Sequence, residues 1–139
     1  MSGVVLAFDV GSRDLGVAVG QRLTGTARPL AVVPMQPAAA RWQAIESCLR
    51  EWQPEQLVVG LPLAQDGGEQ PMSQRARAFA EELARYSLPV ALVDERGSTQ
   101  EARRRFARDR ERGLARRSQN QLDARAAQVI LEDYLATHA

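Results

Sequence analysis

The stretch VVLAFDVGSRDLGVAVG, residues 4–20, sets an architecture that the rest of the chain extends. It opens with a short run of branched apolar residues, which is typical of a buried strand. Gly11 and Gly16 bracket a polar turn, and the residues from Leu15 to Gly20 resume an apolar strand pattern. We therefore predict a β-hairpin whose first strand covers Val4 to Phe8.

Beyond the hairpin, strand and helix patterns alternate. Three further strands are predicted, over Ala27 to Val33, Leu57 to Val59 and Pro89 to Val93. Helices are predicted around Trp42 to Trp52, through Ala76 to Leu83, from about Ser98, and over about Asn120 to Ala136, with a loop or mobile helix end over Arg108 to Gln119. This order predicts an α/β fold: a five-stranded mixed sheet, with a three-stranded antiparallel meander and two parallel strands, flanked by helices. No repeat or linker divides residues 1–139, so we expect one domain.

The composition is that of a soluble globular protein, with 45% hydrophobic and 25% charged residues. The apolar runs are only strand-length, and the N-terminus lacks the basic segment of a signal peptide. A single cysteine, Cys48, excludes an internal disulfide framework. We therefore expect a cytoplasmic protein that makes no use of a membrane. All basic side chains other than His138 are arginine, which excludes Schiff-base chemistry and a Walker-type phosphate loop.

Positive charge is concentrated in one segment. From Arg96 through Arg125 there are ten arginines against four acids, a balance suited to a polyanion. The predicted nucleic-acid contacts are Arg13, Arg96, Arg103, Arg104, Arg105, Arg108, Arg116 and Arg117. The alternative is an ordinary solvated helix face. Among the aromatic residues only Phe106 lies inside the basic segment, so we expect backbone and shape recognition rather than base reading.

Three acids stand at boundaries between predicted elements. Asp9 follows the first strand, Glu95 follows the last strand, and Asp123 falls in the first turn of the last helix, on its apolar side. Carboxylates brought together from separate elements suit Mg²⁺, which prefers hard oxygen ligands, and this pattern favours a metal-dependent nuclease. Each acid has another interpretation: a turn residue, an arginine-paired acid, or an acid placed near a helix dipole. Asp94 is the alternative to Glu95, because only one of two successive strand residues can face a given site.

The chain resembles the YqgF (RuvX-type) family of ribonuclease H-like proteins, which are described as Holliday junction resolvases and pre-16S rRNA nucleases. The resemblance rests on FDVGSRDLGVAVG, TGTARPL, VVGLPL followed by DGGEQP, VDER, and LDARAAQVILEDYL, in that order along nearly the whole chain. It implies a ribonuclease H-like fold and two-metal hydrolysis of phosphodiester bonds. It also implies Mg²⁺ or Mn²⁺ as the cofactor, in two ions, with Asp9, Glu95 and Asp123 as catalytic metal ligands.

Several functions stay open at this stage. We expect maturation of the 5′ end of pre-16S rRNA, with ribosomal particles as further partners and a monomer or weak homodimer as the acting form. Resolution of branched DNA by a dimer is the main alternative, because symmetrical cleavage needs two active sites. The others are a non-catalytic RNA-binding module of ribosome assembly and a sugar-kinase or actin-like ATPase. The ATPase architecture normally needs two domains, which argues against that alternative.

Overall fold

The computed structural model describes residues 3–64, 66–94 and 119–137, without the side chains of residues 119–123. Its elements in chain order are β1 (Val4–Val10), β2 (Asp14–Gln21), β3 (Thr26–Pro34), α1 (Ala38–Trp52), β4 (Gln56–Leu61), α2 (Pro71–Leu83), a 3-10 turn (Ala84–Tyr86), β5 (Val90–Asp94) and α3 (Gln119–Thr137). No helix within these ranges is both long enough and apolar enough to cross a bilayer.

The described strands form one mixed sheet in the order β3-β2-β1-β4-β5. The meander β1-β2-β3 is antiparallel, while β4 pairs in parallel with both β1 and β5. This arrangement confirms the predicted α/β fold. The central strand is β1, and every residue of it is buried, as its continuous apolar run predicts.

The two faces of the sheet carry different cores. On one face, large side chains such as Leu6, Phe8 and Leu57 pack against Ile45 of α1 and Phe79 of α2. The other face is covered by α3 and is built from smaller residues. Its sheet members are Val5, Ala7, Ala18 and Val58, and its helix members are Ala127, Ile130, Leu131, Tyr134 and Leu135. Since small side chains let a helix approach a sheet closely, α3 sits near the strand backbones.

The predicted elements are confirmed, but several bounds are wrong. β1 extends past Phe8 because Val10 still pairs with Leu15 of β2. The helix predicted from Trp42 begins four residues earlier at Ala38, since alanine is a strong helix former that adds nothing to an apolar periodicity. The final helix, predicted over 120–136, covers Gln119–Thr137. The helix predicted from Ser98 and the loop predicted before residue 119 lie outside the described residues.

Candidate active site

Asp9 lies inside β1, one residue before the strand ends, rather than beyond the strand as the sequence predicted. It is 8% exposed and is the one buried charged residue in the described part of the chain. Burying a carboxylate costs several kcal/mol unless hydrogen bonds or positive charge compensate it. The centre of the sheet therefore holds an acid whose surroundings must stabilise its charge, which is the electrostatic condition that a metal ligand needs.

The alternation of side chains along β1 determines which way Asp9 faces. Leu6 and Phe8 belong to the core under α1 and α2, whereas Val5 and Ala7 belong to the core under α3. Successive strand residues point to opposite faces, so Asp9 lies on the α3 side, in line with Val5 and Ala7.

Glycines flank Asp9 on both neighbouring strands. Gly16 of β2 is its direct cross-strand partner. On the other side, the pairing of Phe8 with Val59 places Gly60 of β4 beside it. Both glycines lie on the α3 side of the sheet by the same alternation, because Ala18 and Val58 pack there two residues away. The residues beside Asp9 on both adjoining strands therefore have no side chain of their own.

The direction of α3 follows from its contacts with the far end of the sheet. A Cβ atom placed on Gly20 would come within 3.0 Å of Leu131 Cδ2 and Leu135 Cδ1, so this part of α3 lies directly on β2. Near the start of β1, Arg22 donates a hydrogen bond of 3.4 Å to the Tyr134 hydroxyl, and the Arg22 backbone N–H donates to Gly3. The C-terminal half of α3 thus lies at the start of β1, and the helix runs antiparallel to β1.

This direction predicts that the first turns of α3 lie toward the end of β1 that carries Asp9. Residue 123 precedes the contact of Leu131 and Leu135 with Gly20 by about ten residues, or about 15 Å of helix. Asp9 lies four residues beyond Val5, the partner of Gly20, which is about 13 Å of strand. The two lengths are similar, so we expect the backbone of residue 123 to lie near the Asp9 end of the sheet. Its side chain lies outside the described part.

The end of β5 reaches the same edge of the sheet. Gly60 pairs with Val93, so Val93 is level with Asp9, and Asp94 pairs with Leu61 one residue farther. Ala91 and Val93 pack on the α3 side, so alternation places Asp94 on the opposite face from Asp9. That agrees with Asp94 being the weaker candidate. Glu95 itself lies outside the described residues and stays a prediction.

Arg13 is the one predicted nucleic-acid contact that the described ranges include. It is exposed in the turn between β1 and β2, at the Asp9 end of the sheet. The turn is closed by a hydrogen bond of 2.9 Å from the Gly11 N–H to the Asp14 carbonyl. A Cβ on Gly11 would lie 2.6 Å from that oxygen, so the tight turn requires glycine. Arg96, Arg103, Arg104, Arg105, Arg108, Arg116 and Arg117 lie outside the described residues.

The described residues thus bring Asp9 and Arg13 to one edge of the sheet, and the direction of α3 predicts the backbone of residue 123 near the same edge. Within these ranges no three acidic, histidine or cysteine side chains gather as a complete metal site. A carboxylate on a paired strand is a ligand type that a hard divalent cation prefers. The sequence analysis missed the glycines beside Asp9. The small residues Gly16, Ala18 and Gly20, spaced two apart in β2, were the available signal for a face approached closely by another element.

Comparison with solved structures assigns the fold class. The chain matches RuvC from T. thermophilus in complex with a Holliday junction substrate, with a TM-score of 0.54 and 22% identity over 96% of this chain and 94% of the other. It also matches the fowlpox virus Holliday junction resolvase, with a TM-score of 0.59 and 11% identity over 98% and 99% of the two chains. At these identities the likeness concerns the fold, which is the ribonuclease H-like fold of these proteins.

Comparison of sequences goes further than the fold. Residues 3–137 match the family described as "RuvX: Holliday junction resolvase", and the chain belongs to that family. A relative from Salmonella newport, named "Putative pre-16S rRNA nuclease", is 48% identical over 136 residues, or 96% of each chain. The resemblance in the sequence motifs is thereby confirmed, and the family relation places the chain among nucleases.

Proposed function

We propose that this chain is a metal-dependent nuclease that hydrolyses phosphodiester bonds by a two-metal mechanism. The observation that carries the proposal is the position of Asp9. It is buried on the central strand, lies on the α3 side of the sheet, and has glycine as its neighbour on both adjoining strands, Gly16 and Gly60. A buried carboxylate held on a paired strand offers a fixed oxygen ligand to a divalent cation.

The donor set suits Mg²⁺ or Mn²⁺, with Asp9, Glu95 and Asp123 as the ligands. When bound, a pair of such ions supplies an activated water and neutralises the departing oxygen. The chain itself fixes the geometry. β1 holds Asp9 through pairing on both edges, and we expect α3 to bring Asp123 toward it. Arg13, exposed on the adjoining turn, is placed to bind the phosphate next to the scissile bond.

We propose precursor 16S rRNA as the substrate, cleaved in the cytoplasm near its 5′ end by a monomer or weak homodimer, with ribosomal particles as further partners. Support comes from the name carried by relatives nearly half identical to this chain along almost its whole length. The arginines between residues 96 and 125 would bind the phosphate backbone in a salt-dependent way.

Cleavage of four-way DNA junctions is the second candidate, and the description of the matching family favours it. It makes a different structural demand. Two symmetrical cuts require two active sites, and hence a dimer, whereas trimming an RNA end requires one. The two candidates therefore differ in oligomeric state as well as in substrate.

The test is cleavage of a labelled 5′ precursor fragment of 16S rRNA and of a four-way DNA junction in parallel, with Mg²⁺ or Mn²⁺. The variant is Asp9→Asn, and the matched control is Asp94→Asn, an acid at the same sheet edge on the opposite face. We expect Asp9→Asn to lower cleavage by more than about 100-fold, since even outer-shell changes at metal sites cost about 10–100-fold. Asp94→Asn should retain most of the activity.

The outcomes separate the candidates. RNA cleavage that is lost in Asp9→Asn supports the rRNA assignment, and paired symmetrical nicks in the junction support the resolvase. Full activity in Asp9→Asn would overturn the metal mechanism. Binding of RNA without cleavage by the unaltered protein would instead favour the non-catalytic module.

A further inference from the structure

The surface formed by α1 and the end of α2 carries arginines that continue from the rim of the site. The carbonyl of Arg13 accepts a hydrogen bond of 2.8 Å from the Met35 N–H. The Met35 carbonyl in turn accepts one of 3.1 Å from Arg41 Nη1. Met35 thus links the Arg41 guanidinium through hydrogen bonds to Arg13, in the turn that follows Asp9 and β1.

Trp42 joins this arginine to a third. The Arg41 guanidinium lies 5.2 Å from the Trp42 ring centroid, and the Arg85 guanidinium lies 4.1 Å from it. The indole is fixed from beneath, because it stacks on Phe79 at 5.8 Å with an interplanar angle of 13°. We call Arg13, Arg41, Trp42 and Arg85 the arginine surface; it starts at the site and runs across α1 toward α2.

The charges of this surface are not neutralised by acids within the described residues. Arg22 and Arg77 form ion pairs of 3.0 Å with Glu55 and Glu69, whereas none of the three arginines of the arginine surface does. Arg85 Nε donates to a backbone carbonyl, that of Glu82.

Glu46 approaches this surface through Tyr86, from whose hydroxyl it accepts a hydrogen bond of 3.1 Å. Burial and this bond raise the pKa of Tyr86, so its phenol stays neutral at pH 7. The first turn of α1 contains no acid, so its backbone N–H groups add positive potential at the same edge.

Cations held against aromatic rings and left unpaired are the groups with which proteins bind the backbone of single-stranded nucleic acid. We propose that the arginine surface binds the single-stranded segment of substrate that flanks the scissile phosphate. The surface would guide that strand from the Asp9 edge across α1. This inference rests on the proposed nuclease function and deepens it by naming where the uncut strand lies.

The test is equilibrium binding in EDTA, where no metal-dependent cleavage occurs. Oligonucleotides share one duplex and carry single-stranded tails of zero to about ten nucleotides, as RNA and as DNA. The variant is Arg41→Gln/Arg85→Gln. The matched control is Arg28→Gln/Arg50→Gln, which removes two exposed arginines, one of them stacked on an indole, Trp52, at 5.0 Å, whereas Arg41 is half-buried and Arg85 exposed. Arg28 lies at the opposite end of the sheet from Asp9.

In the unaltered protein and in the control, an oligonucleotide with a tail should bind more tightly than one without. In Arg41→Gln/Arg85→Gln the two oligonucleotides should bind about equally well. The slope of log Kd against log salt for the longest tail should become shallower by about 1.4, or about 0.7 per lost phosphate contact. Arg41→Lys/Arg85→Lys, which keeps both charges, should restore most of the tail effect. The single substitutions carry the test if the double variant does not fold.

An unchanged gain in Arg41→Gln/Arg85→Gln, or an equal loss in the control, would overturn the inference. Because binding is measured without cleavage, failure here is distinct from failure of the nuclease proposal, which Asp9→Asn decides. A tail effect confined to RNA or to DNA would identify which nucleic acid occupies the surface.

Discussion

Gly20 tests whether close packing of α3 positions the site. An added Cβ would lie 2.7 Å from the Thr26 carbonyl oxygen and 3.0 Å from methyl carbons of both Leu131 and Leu135. The oxygen belongs to a paired neighbouring strand, so β2 and β3 must separate by about 0.3 Å or more to reach the shortest distance that real Cβ atoms tolerate. The two leucine methyl groups must also shift by a few tenths of an ångström, either by side-chain rotation or with the helix.

Overpacking of this kind costs about 1–3 kcal/mol. Replacing a strand glycine by alanine recovers about 0.5–1 kcal/mol of backbone entropy. We therefore expect Gly20→Ala to lower the free energy of unfolding by about 1–2 kcal/mol. For a chain of this size that corresponds to a fall in Tm of about 3–8 °C. Under the proposed function, in which Asp123 acts together with Asp9, a shift of α3 should also lower cleavage activity per folded molecule.

The assay is urea unfolding of Gly20→Ala, Leu131→Ala and the double variant. Leu131→Ala alone should cost about 2–5 kcal/mol. The double variant should lose about 1 kcal/mol less unfolding free energy than the sum of the two single losses, since the shorter side chain at residue 131 removes one of the clashes. A Tm for Gly20→Ala at or above that of the unaltered protein, or strictly additive costs, would refute the reasoning.

Three further predictions concern contacts away from the acids. Tyr134→Phe removes the hydrogen bond from Arg22 but keeps the ring beneath its guanidinium, so the free energy of unfolding should fall by about 0.5–1.5 kcal/mol in urea titrations; a fall above 3 kcal/mol would contradict this. Arg77 lowers the pKa of the Glu69 carboxyl, so their pairing stabilises the fold above the ordinary pKa of 4.5 and is lost as the pH falls through the lowered value. The urea midpoint of Glu69→Gln should accordingly depend less on pH in that acidic range than the midpoint of the unaltered protein. Equal pH dependence of the two midpoints would contradict the pairing. Burial raises the pKa of the half-buried Cys48 thiol, so alkylation by iodoacetamide at pH 8 should be slower than that of a free thiol such as glutathione, and an equal rate would contradict its burial.

Much of the fold could be predicted because the strands and helices carry local patterns of apolar residues and turn glycines. β1 is apolar without interruption, which predicts burial on both faces, and the turn glycines after Val10 predict the antiparallel β2. The Phe79 and Leu83 spacing likewise predicts the buried side of α2, and both residues are in the core. In each case the signal is local, because a buried strand or an amphipathic helix shows its period within a few residues.

The surroundings of Asp9 could not be predicted in the same way. That Gly16 lies opposite Asp9 depends on the register of the hairpin, and that Gly60 lies beside it depends on β4 pairing in parallel with β1. Register and strand order are set by turn geometry and by the packing of distant segments, which leave no periodic mark near Asp9. The arginine surface was missed for the same reason: Arg41 and Arg85 both lie against Trp42 only because the 3-10 turn after α2 packs near the start of α1.

The two faces of the sheet serve different purposes: one supplies most of the apolar core, and the other positions α3. The face under α1 and α2 holds large side chains such as Phe8, Leu15 and Phe79, which supply most of the apolar burial. The face under α3 is lined by glycine and alanine along β2, and the helix lies so close that a Cβ atom on Gly20 would come within 3.0 Å of methyl groups of Leu131 and Leu135. A cavity made on the first face should cost stability and leave the chemistry of the folded molecule intact. Under the proposed function, a change on the second face would move Asp123 relative to Asp9, so stability and activity should change together there. The precision of the site thus depends on the smallest side chains in the sheet rather than on the largest.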